Sequence, residues 1–189
     1  MLGILAAIIV LAVIGYFVFQ DEPEEVVIEE PVVEEPAIVT TEVGRSVENR
    51  PIEQTVYGNG DTNVLFIGGI HGGYEWNSVL LAYEFMDYME ANLESIPEDV
   101  SVVIIPDLNP DGTFNVVQKE GRFALEDVPN PSERIGEGRF NANGIDLNRN
   151  FDCKWQPESM WKGNVVSAGD SPFSEPEAAA LKEVVDQFN

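Results

Sequence analysis

Asn63-Val64-Leu65-Phe66-Ile67-Gly68-Gly69-Ile70-His71-Gly72-Gly73-Tyr74-Glu75 is a short apolar run closed by glycines and followed by a polar turn. The run from Asn63 to Gly69 reads as a buried strand that ends where the glycines begin. Glu75 to Leu93 reads as a helix: it is apolar over most of its circumference. Glu84, Asp87, Glu90 and Glu94 mark its solvent side. Val100 to Ile105 is a second buried strand, all apolar but for Ser101. Strand, helix and strand in this order predict an α/β domain, with a mixed, largely parallel sheet flanked by helices.

Working outward, Ile52 to Tyr57 reads as a short strand and Gly58-Asn59-Gly60-Asp61 as a turn. Asn109-Pro110-Asp111-Gly112 reads as another turn. Residues 113 to 145 read as irregular, being rich in Gly, Pro and Asn. A last helix is expected from Ser174, with Ser174 as its N-cap and Leu181, Val184, Val185 and Phe188 as its apolar stripe. No internal repeat is visible.

The first 42 residues have a different character. Leu2 to Phe19 carries no charge, and eighteen helical residues rise about 27 Å, close to the thickness of a bilayer core. No small-x-small cleavage pattern follows it, so residues 1–20 are expected to be an uncleaved membrane anchor. Residues 21–42 hold nine acids, no base and prolines at 23, 31 and 36, which predicts an extended acidic tether. The globular part, residues 43–189, follows. This plan implies a single-pass protein of the cell membrane with its folded domain outside the cytoplasm.

Across 189 residues, 34 acids oppose 10 bases, giving a formal charge of −24. Nucleic acid and anionic lipid surfaces are excluded as general partners, because both require clustered Lys and Arg. Any acidic ligand must be gripped by a few placed cations. Cys153 is the single cysteine, so neither an internal disulfide nor a cysteine zinc site is available. It reads as a small side chain near the core.

His71 is the single histidine. It lies with Glu75 just past a strand end, where open α/β sheets place their ligands. Imidazole and carboxylate are both zinc donors, and Gly72 and Gly73 let the backbone turn them toward one point. The alternative is an ordinary polar pair. In Asp146-Leu147-Asn148-Arg149-Asn150-Phe151, Arg149 offers a bidentate grip on a carboxylate and Asn148 a directed amide. The alternative there is an ion pair of Arg149 with Asp146 or Asp152. Arg139 is a further candidate cation, with an ordinary surface position as its alternative. Trp155 and Trp161 are either pocket walls or packing, and Tyr74 is expected to pack.

Taken in order, these segments resemble the zinc carboxypeptidases. The resemblance rests on Gly44-Arg45-Ser46-Val47-Glu48-Asn49-Arg50-Pro51-Ile52, on Gly68 to Asn77 around His71, and on Asn109-Pro110-Asp111-Gly112. Asn143 to Phe151 and Pro172-Phe173-Ser174-Glu175-Pro176-Glu177 complete it. It spans about residues 43 to 189 and implies the phosphorylase/hydrolase-like α/β fold of that family. It further implies that His71 and Glu75 are ligands of Zn2+, and that Asn148 and Arg149 hold the terminal carboxylate of a substrate. Arg139 would polarise the scissile carbonyl, with Arg134 and Arg122 as rivals. The implied activity is hydrolysis of C-terminal peptide bonds, in peptides or peptidoglycan stems with a free carboxylate.

Two departures stand out. Three residues separate His71 from Glu75 where the family commonly has two. The third zinc ligand and the general base expected of the family also have no counterpart here, so the chain is expected to be C-terminally truncated and inactive alone. Two other functions are compatible with the same residues: a non-catalytic module that binds carboxylate-ended peptides, and a zinc deacylase of small acyl amino acids.

Overall fold

The computed structural model describes residues 38–129 and 138–188. The expected anchor and most of the expected tether lie outside these residues. Among the described residues, no helix is long and apolar enough to cross a membrane.

A four-stranded sheet in the order β1-β2-β4-β3 forms the centre. Its strands are β1 (Ile38–Arg45), β2 (Pro51–Tyr57), β3 (Thr62–Ile67) and β4 (Val100–Ile105). β1 was not anticipated. Its first five residues, 38–42, fall inside the stretch expected to be tether and are strand instead. Once paired, Glu42 and the threonines of β1 are exposed at an edge of the sheet, and this is why the segment looks like a continuation of the acidic spacer in sequence.

The sheet is mixed, but not largely parallel as expected. β1 with β2 and β2 with β4 are antiparallel, and only β3 with β4 is parallel. The reason is connectivity. A short turn returns β1 onto β2, which is possible only antiparallel, whereas a helix carries the chain from β3 to β4. β3 is also less buried than its apolar sequence predicts, with Val64 51% exposed, because it is the opposite edge of the described sheet.

β4 is the central strand and its alternation sets the layers. Ile104 packs with Tyr57, Ala82 and Met89 under helix α1 (Trp76–Ala91). Ile105 faces the other way, joining Ile52, Leu108, Leu181 and Val184 against helix α3 (Pro176–Asp186). Successive side chains of one strand thus build two cores, one on each face of the sheet. Gly44 lies against α3: a Cβ there would come 2.5 Å from the Cβ of Ala180.

The expected turn at Asn109 is instead the start of helix α2 (Pro110–Val117). Asn109 caps it, accepting a hydrogen bond from the Gly112 N–H at 3.0 Å, and Pro110 fills the first position, where no N–H is needed. The same residue types serve a turn and a helix start. α3 departs from expectation in its cap: Glu175 is the flanking residue and makes no capping bond, and Pro176 opens the helix. Leu181 and Val184 are buried as expected, while Val185 is 41% exposed. A two-stranded antiparallel hairpin, β5 (Glu158–Trp161) and β6 (Asn164–Ser167), completes the described elements.

Candidate metal centre and carboxylate cleft

His71 and Glu75 bracket a single 3-10 turn between β3 and α1. The turn presses directly on the start of α2. A Cβ on Gly72, which sits at φ +44°, would lie 2.8 Å from the Asn109 carbonyl oxygen, and one on Gly73 would lie 2.5 Å from Val116 Cγ2. Only glycine fits at either position. The tight turn absorbs the extra residue between His71 and Glu75 and still brings the two side chains together: Nδ1 of His71 is 2.8 Å from Oε1 of Glu75.

The other ring nitrogen is occupied from far along the chain. Nε2 of His71 is 3.0 Å from Oδ1 of Asp146, which is fully buried. Oδ2 of Asp146 accepts a bond from Nη2 of Arg139 at 2.8 Å. Burial works to raise the Asp146 pKa, but the bonds from His71 and Arg139 outweigh it and hold the carboxyl below its ordinary value. Asp146 holds Nε2 from behind and so points Nδ1 of the ring at Glu75. That is the arrangement in which a carboxylate orients a metal-binding imidazole.

The donor set fits zinc: an imidazole nitrogen, a carboxylate oxygen beside it, and an orienting carboxylate behind. His71 is 4% exposed whereas the Glu75 side chain is 38% exposed, so the pair opens to solvent on the Glu75 side. Among the described residues no group of three or more metal-type ligands converges, and His71 with Glu75 would supply two.

Arg139 is 4% exposed rather than a surface residue. Its guanidinium lies 4.6 Å from the ring centre of Trp161 and 5.5 Å from that of Tyr74, and its buried Nε has no partner. Tyr74 and Trp161 meet edge to face at 5.5 Å, so both aromatics pack around this cation. Of its rivals, Arg122 is paired with Asp87 on α1, and Arg134 lies outside the described residues.

Asn148 and Arg149 follow Asp146 in a second 3-10 turn, Leu147–Arg149. Arg149 pairs with neither Asp146 nor Asp152. Its Nε bonds Ser159 Oγ at 3.0 Å and its Nη1 bonds the Asn148 carbonyl at 3.0 Å. Both residues line a cleft of about 360 Å³ with Phe151, Cys153, Lys154 and Trp155. Trp155 is a wall here, with its indole N–H on the Ala168 carbonyl at 3.1 Å. Cys153 is exposed at the cleft rather than near the core. A larger cleft of about 460 Å³, between Glu48, Phe114 and Phe140, contains none of the expected site residues.

The remaining matched segments act as fasteners. Asp111 accepts bonds from Ser46 Oγ at 2.6 Å, from the Glu48 N–H at 2.9 Å and from Arg50 Nη1 at 2.8 Å, tying residues 46–50 to α2. Asn141 donates to Glu175 at 2.8 Å and to Glu177 at 3.1 Å. The role of Asp146 as partner of His71 was missed in sequence. Its position in the Asp146–Arg149 block is the signal that could have found it.

A family model described as zinc carboxypeptidase matches residues 25–189. Gamma-D-glutamyl-L-diamino acid endopeptidase 1 of Lysinibacillus sphaericus is 26% identical over 171 residues, covering 79% of this chain and 42% of its own length. The human carboxypeptidase N catalytic chain is 31% identical over 123 residues, covering 58% of this chain and 25% of its own length. The crystal structure of carboxypeptidase A from Helicoverpa armigera superposes with a TM-score of 0.53 at 22% identity, over 80% of this chain and 38% of that one. The chain thus spans half or less of the length of the curated relatives it matches.

Proposed function

We propose that this chain, which belongs to the zinc carboxypeptidase family, supplies two metal ligands and the substrate grip of a zinc metallocarboxypeptidase acting on C-terminal peptide bonds. The observation that carries the reading is the meeting of His71 Nδ1 with Glu75 Oε1 at 2.8 Å while buried Asp146 holds the opposite ring nitrogen. A polar pair on a surface has no need of that third, buried group.

In this reading His71 and Glu75 hold the metal. When bound, zinc supplies Lewis acidity and lowers the pKa of a coordinated water toward about 7. The chain's own residues do the rest. Asp146 holds Nε2 of His71 and so keeps Nδ1 turned toward the metal position beside Glu75. Arg139, charged and held by Asp146, offers its unpartnered Nε–H to the carbonyl oxygen of the bond to be cut, where negative charge develops. Asn148 and Arg149 hold the free carboxylate of the substrate's last residue and so fix which bond faces the metal.

The substrates are peptides or cell-wall peptides with a free C-terminal carboxylate. The wall reading is supported by the Lysinibacillus relative, a gamma-D-glutamyl-L-diamino acid endopeptidase. Residues 1–20 serve as a membrane anchor, with the folded part outside the cytoplasm, which suits work at the wall.

The test is binding of one peptide in two forms, with a free and with an amidated C-terminus, to the zinc-loaded protein. The free form binds at least tenfold more tightly, and Arg149→Ala removes that difference, as expected for loss of one charged hydrogen-bonded pair of about 1.5–3 kcal/mol. Equal affinity for the two forms contradicts the assignment.

A further inference from the structure

Among the described residues the β5–β6 hairpin pairs with no strand of the central sheet, yet its first strand touches both arginines of the site. Burial alternates along β5: Glu158 and Met160 are exposed, whereas Ser159 and Trp161 are half-buried. Ser159 and Trp161 therefore share the inward face, two residues and about 6.5–7 Å apart along the strand. From that face Ser159 Oγ accepts the Nε–H of Arg149 at 3.0 Å. The indole of Trp161 covers the guanidinium of Arg139, 4.6 Å from ring centre to carbon.

The hairpin is fastened at both ends. Lys162 and Gly163, at φ +47° and +82°, form the two-residue turn whose twist matches that of paired strands. At the base, the Ser167 carbonyl accepts the Asp146 N–H at 3.0 Å, and the Pro157 carbonyl accepts the Ala168 N–H at 3.0 Å. Asp146 is thus joined to the hairpin by its backbone and to Arg139 by its side chain, at 2.8 Å. Trp161 is wedged in turn, edge to face on Tyr74 at 5.5 Å and on Phe140 at 6.0 Å. Arg139 is therefore gripped on two sides by groups that are tied to each other. The outcome is a guanidinium 4% exposed whose buried Nε has no partner among the described residues. A buried donor left unmade is unfavourable and persists only where the surrounding packing holds it.

We infer that β5 is a strut that sets the spacing of the two arginines, with Trp161 the positioning residue of Arg139 and Ser159 that of Arg149. The inference rests on the proposed function, in which Arg149 holds the terminal carboxylate and Arg139 the carbonyl of the bond to be cut. Those two groups belong to adjacent residues of one substrate, so both contacts form together only if the arginines are correctly spaced. A misplacement of about 1 Å costs on the order of a hundredfold in such a site. Trp161 acts through its face: a flat indole against a flat guanidinium fixes the plane in which the N–H groups point. Ser159 acts through its bond to Nε, which fixes the Arg149 head and leaves most of its N–H donors for a ligand.

The test uses the zinc-loaded chain and ketomethylene dipeptides, in which CO–CH2 replaces the amide so that no bond is cut. One pair of ligands differs only in the ketone oxygen, present or replaced by two hydrogens. A second pair differs only in a free or an amidated C-terminus. The ketone preference reports on Arg139 and the free-acid preference on Arg149. In calorimetric titration, Trp161→Leu is expected to lower the ketone preference by about three- to tenfold and to keep the free-acid preference, while Trp161→Phe keeps both. Ser159→Ala lowers the free-acid preference about threefold and keeps the ketone preference. This variant removes one hydroxyl and carries the test if Trp161→Leu does not fold. Because both residues act through an arginine, Trp161→Leu adds no loss in an Arg139→Met background, and Ser159→Ala adds none in Arg149→Ala. A further loss in those backgrounds overturns the strut. Losses in Arg139→Met and Arg149→Ala, with none in Trp161→Leu and Ser159→Ala, overturn the strut and leave the proposed function standing. Preferences unchanged in Arg139→Met and Arg149→Ala overturn both.

Discussion

The metal-side cluster and the carboxylate cleft are joined by three residues of chain, Leu147 to Arg149, yet they treat charge in opposite ways. On one side, His71, Asp146 and Arg139 are almost dry and bonded to one another. On the other, Arg149 and Lys154 lie open and unpaired by any carboxylate among the described residues. A buried charge must be compensated inside the fold, so the first cluster is rigid and its orientation is set before any ligand arrives. An open charge is compensated by water until something better binds. The first region is built to hold a geometry, the second to receive a partner.

The sharpest way to break this contrast is to remove the charge that compensates the first cluster. Asp146→Ala leaves a buried guanidinium and imidazole without their shared partner, and we expect a loss of about 3–5 kcal/mol in denaturant unfolding. Because the Asp146 pKa is held down, its contribution is present above the ordinary Asp value and is lost as the pH falls through the depressed one. The variant's unfolding free energy should therefore lose its acid-side slope. Arg149→Ala is expected to change stability by less than about 1 kcal/mol, since it breaks bonds only to Ser159 and to the neighbouring Asn148 carbonyl. A loss in Arg149→Ala as large as that in Asp146→Ala would erase the distinction between the two regions.

A control of opposite sign lies behind the site. Burial pushes the Asp107 carboxyl up to about 7, against weaker opposing hydrogen bonds from Thr113 and from the Asn109 backbone. A raised carboxyl binds more protons folded than unfolded, so it lowers stability as the pH rises from about 4 to about 7. Asp107→Asn should flatten that part of the profile and leave the protein more stable above pH 7. Unchanged pH dependence would show that the carboxyl is solvated. The smallest effect is expected at Cys153. Cys153→Ser should alter stability by no more than about 0.5 kcal/mol, while a bound peptide slows alkylation of the thiol at the cleft.

Much of the layered core was legible because its signal is local. β4 and α1 follow from apolar runs and a charged helical stripe within a single window, and the strand at 51–57 from its flanking turns. β1 was hidden because its exposed edge tolerates Glu42 and two threonines, which follow the acidic stretch and look like more of it. α2 was hidden because Asn109 and Pro110 serve helix starts as readily as turns. Of the candidate site, the approach of His71 to Glu75 was legible from their place after a strand, and the openness of Arg149 was not. Asp146 was seen only as a possible mate for Arg149. Its real partners, His71 and Arg139, depend on the turn after β3 meeting a segment 75 residues on, which no local pattern encodes.

The measurement closest to the central claim is zinc binding by the chain, titrated against a competing chelator dye. One zinc per chain is expected, with His71→Ala lowering the affinity at least tenfold and Asp146→Asn lowering it by about ten- to a hundredfold, as for other groups that orient a metal-bound imidazole. Zinc affinity unchanged in His71→Ala would contradict the account.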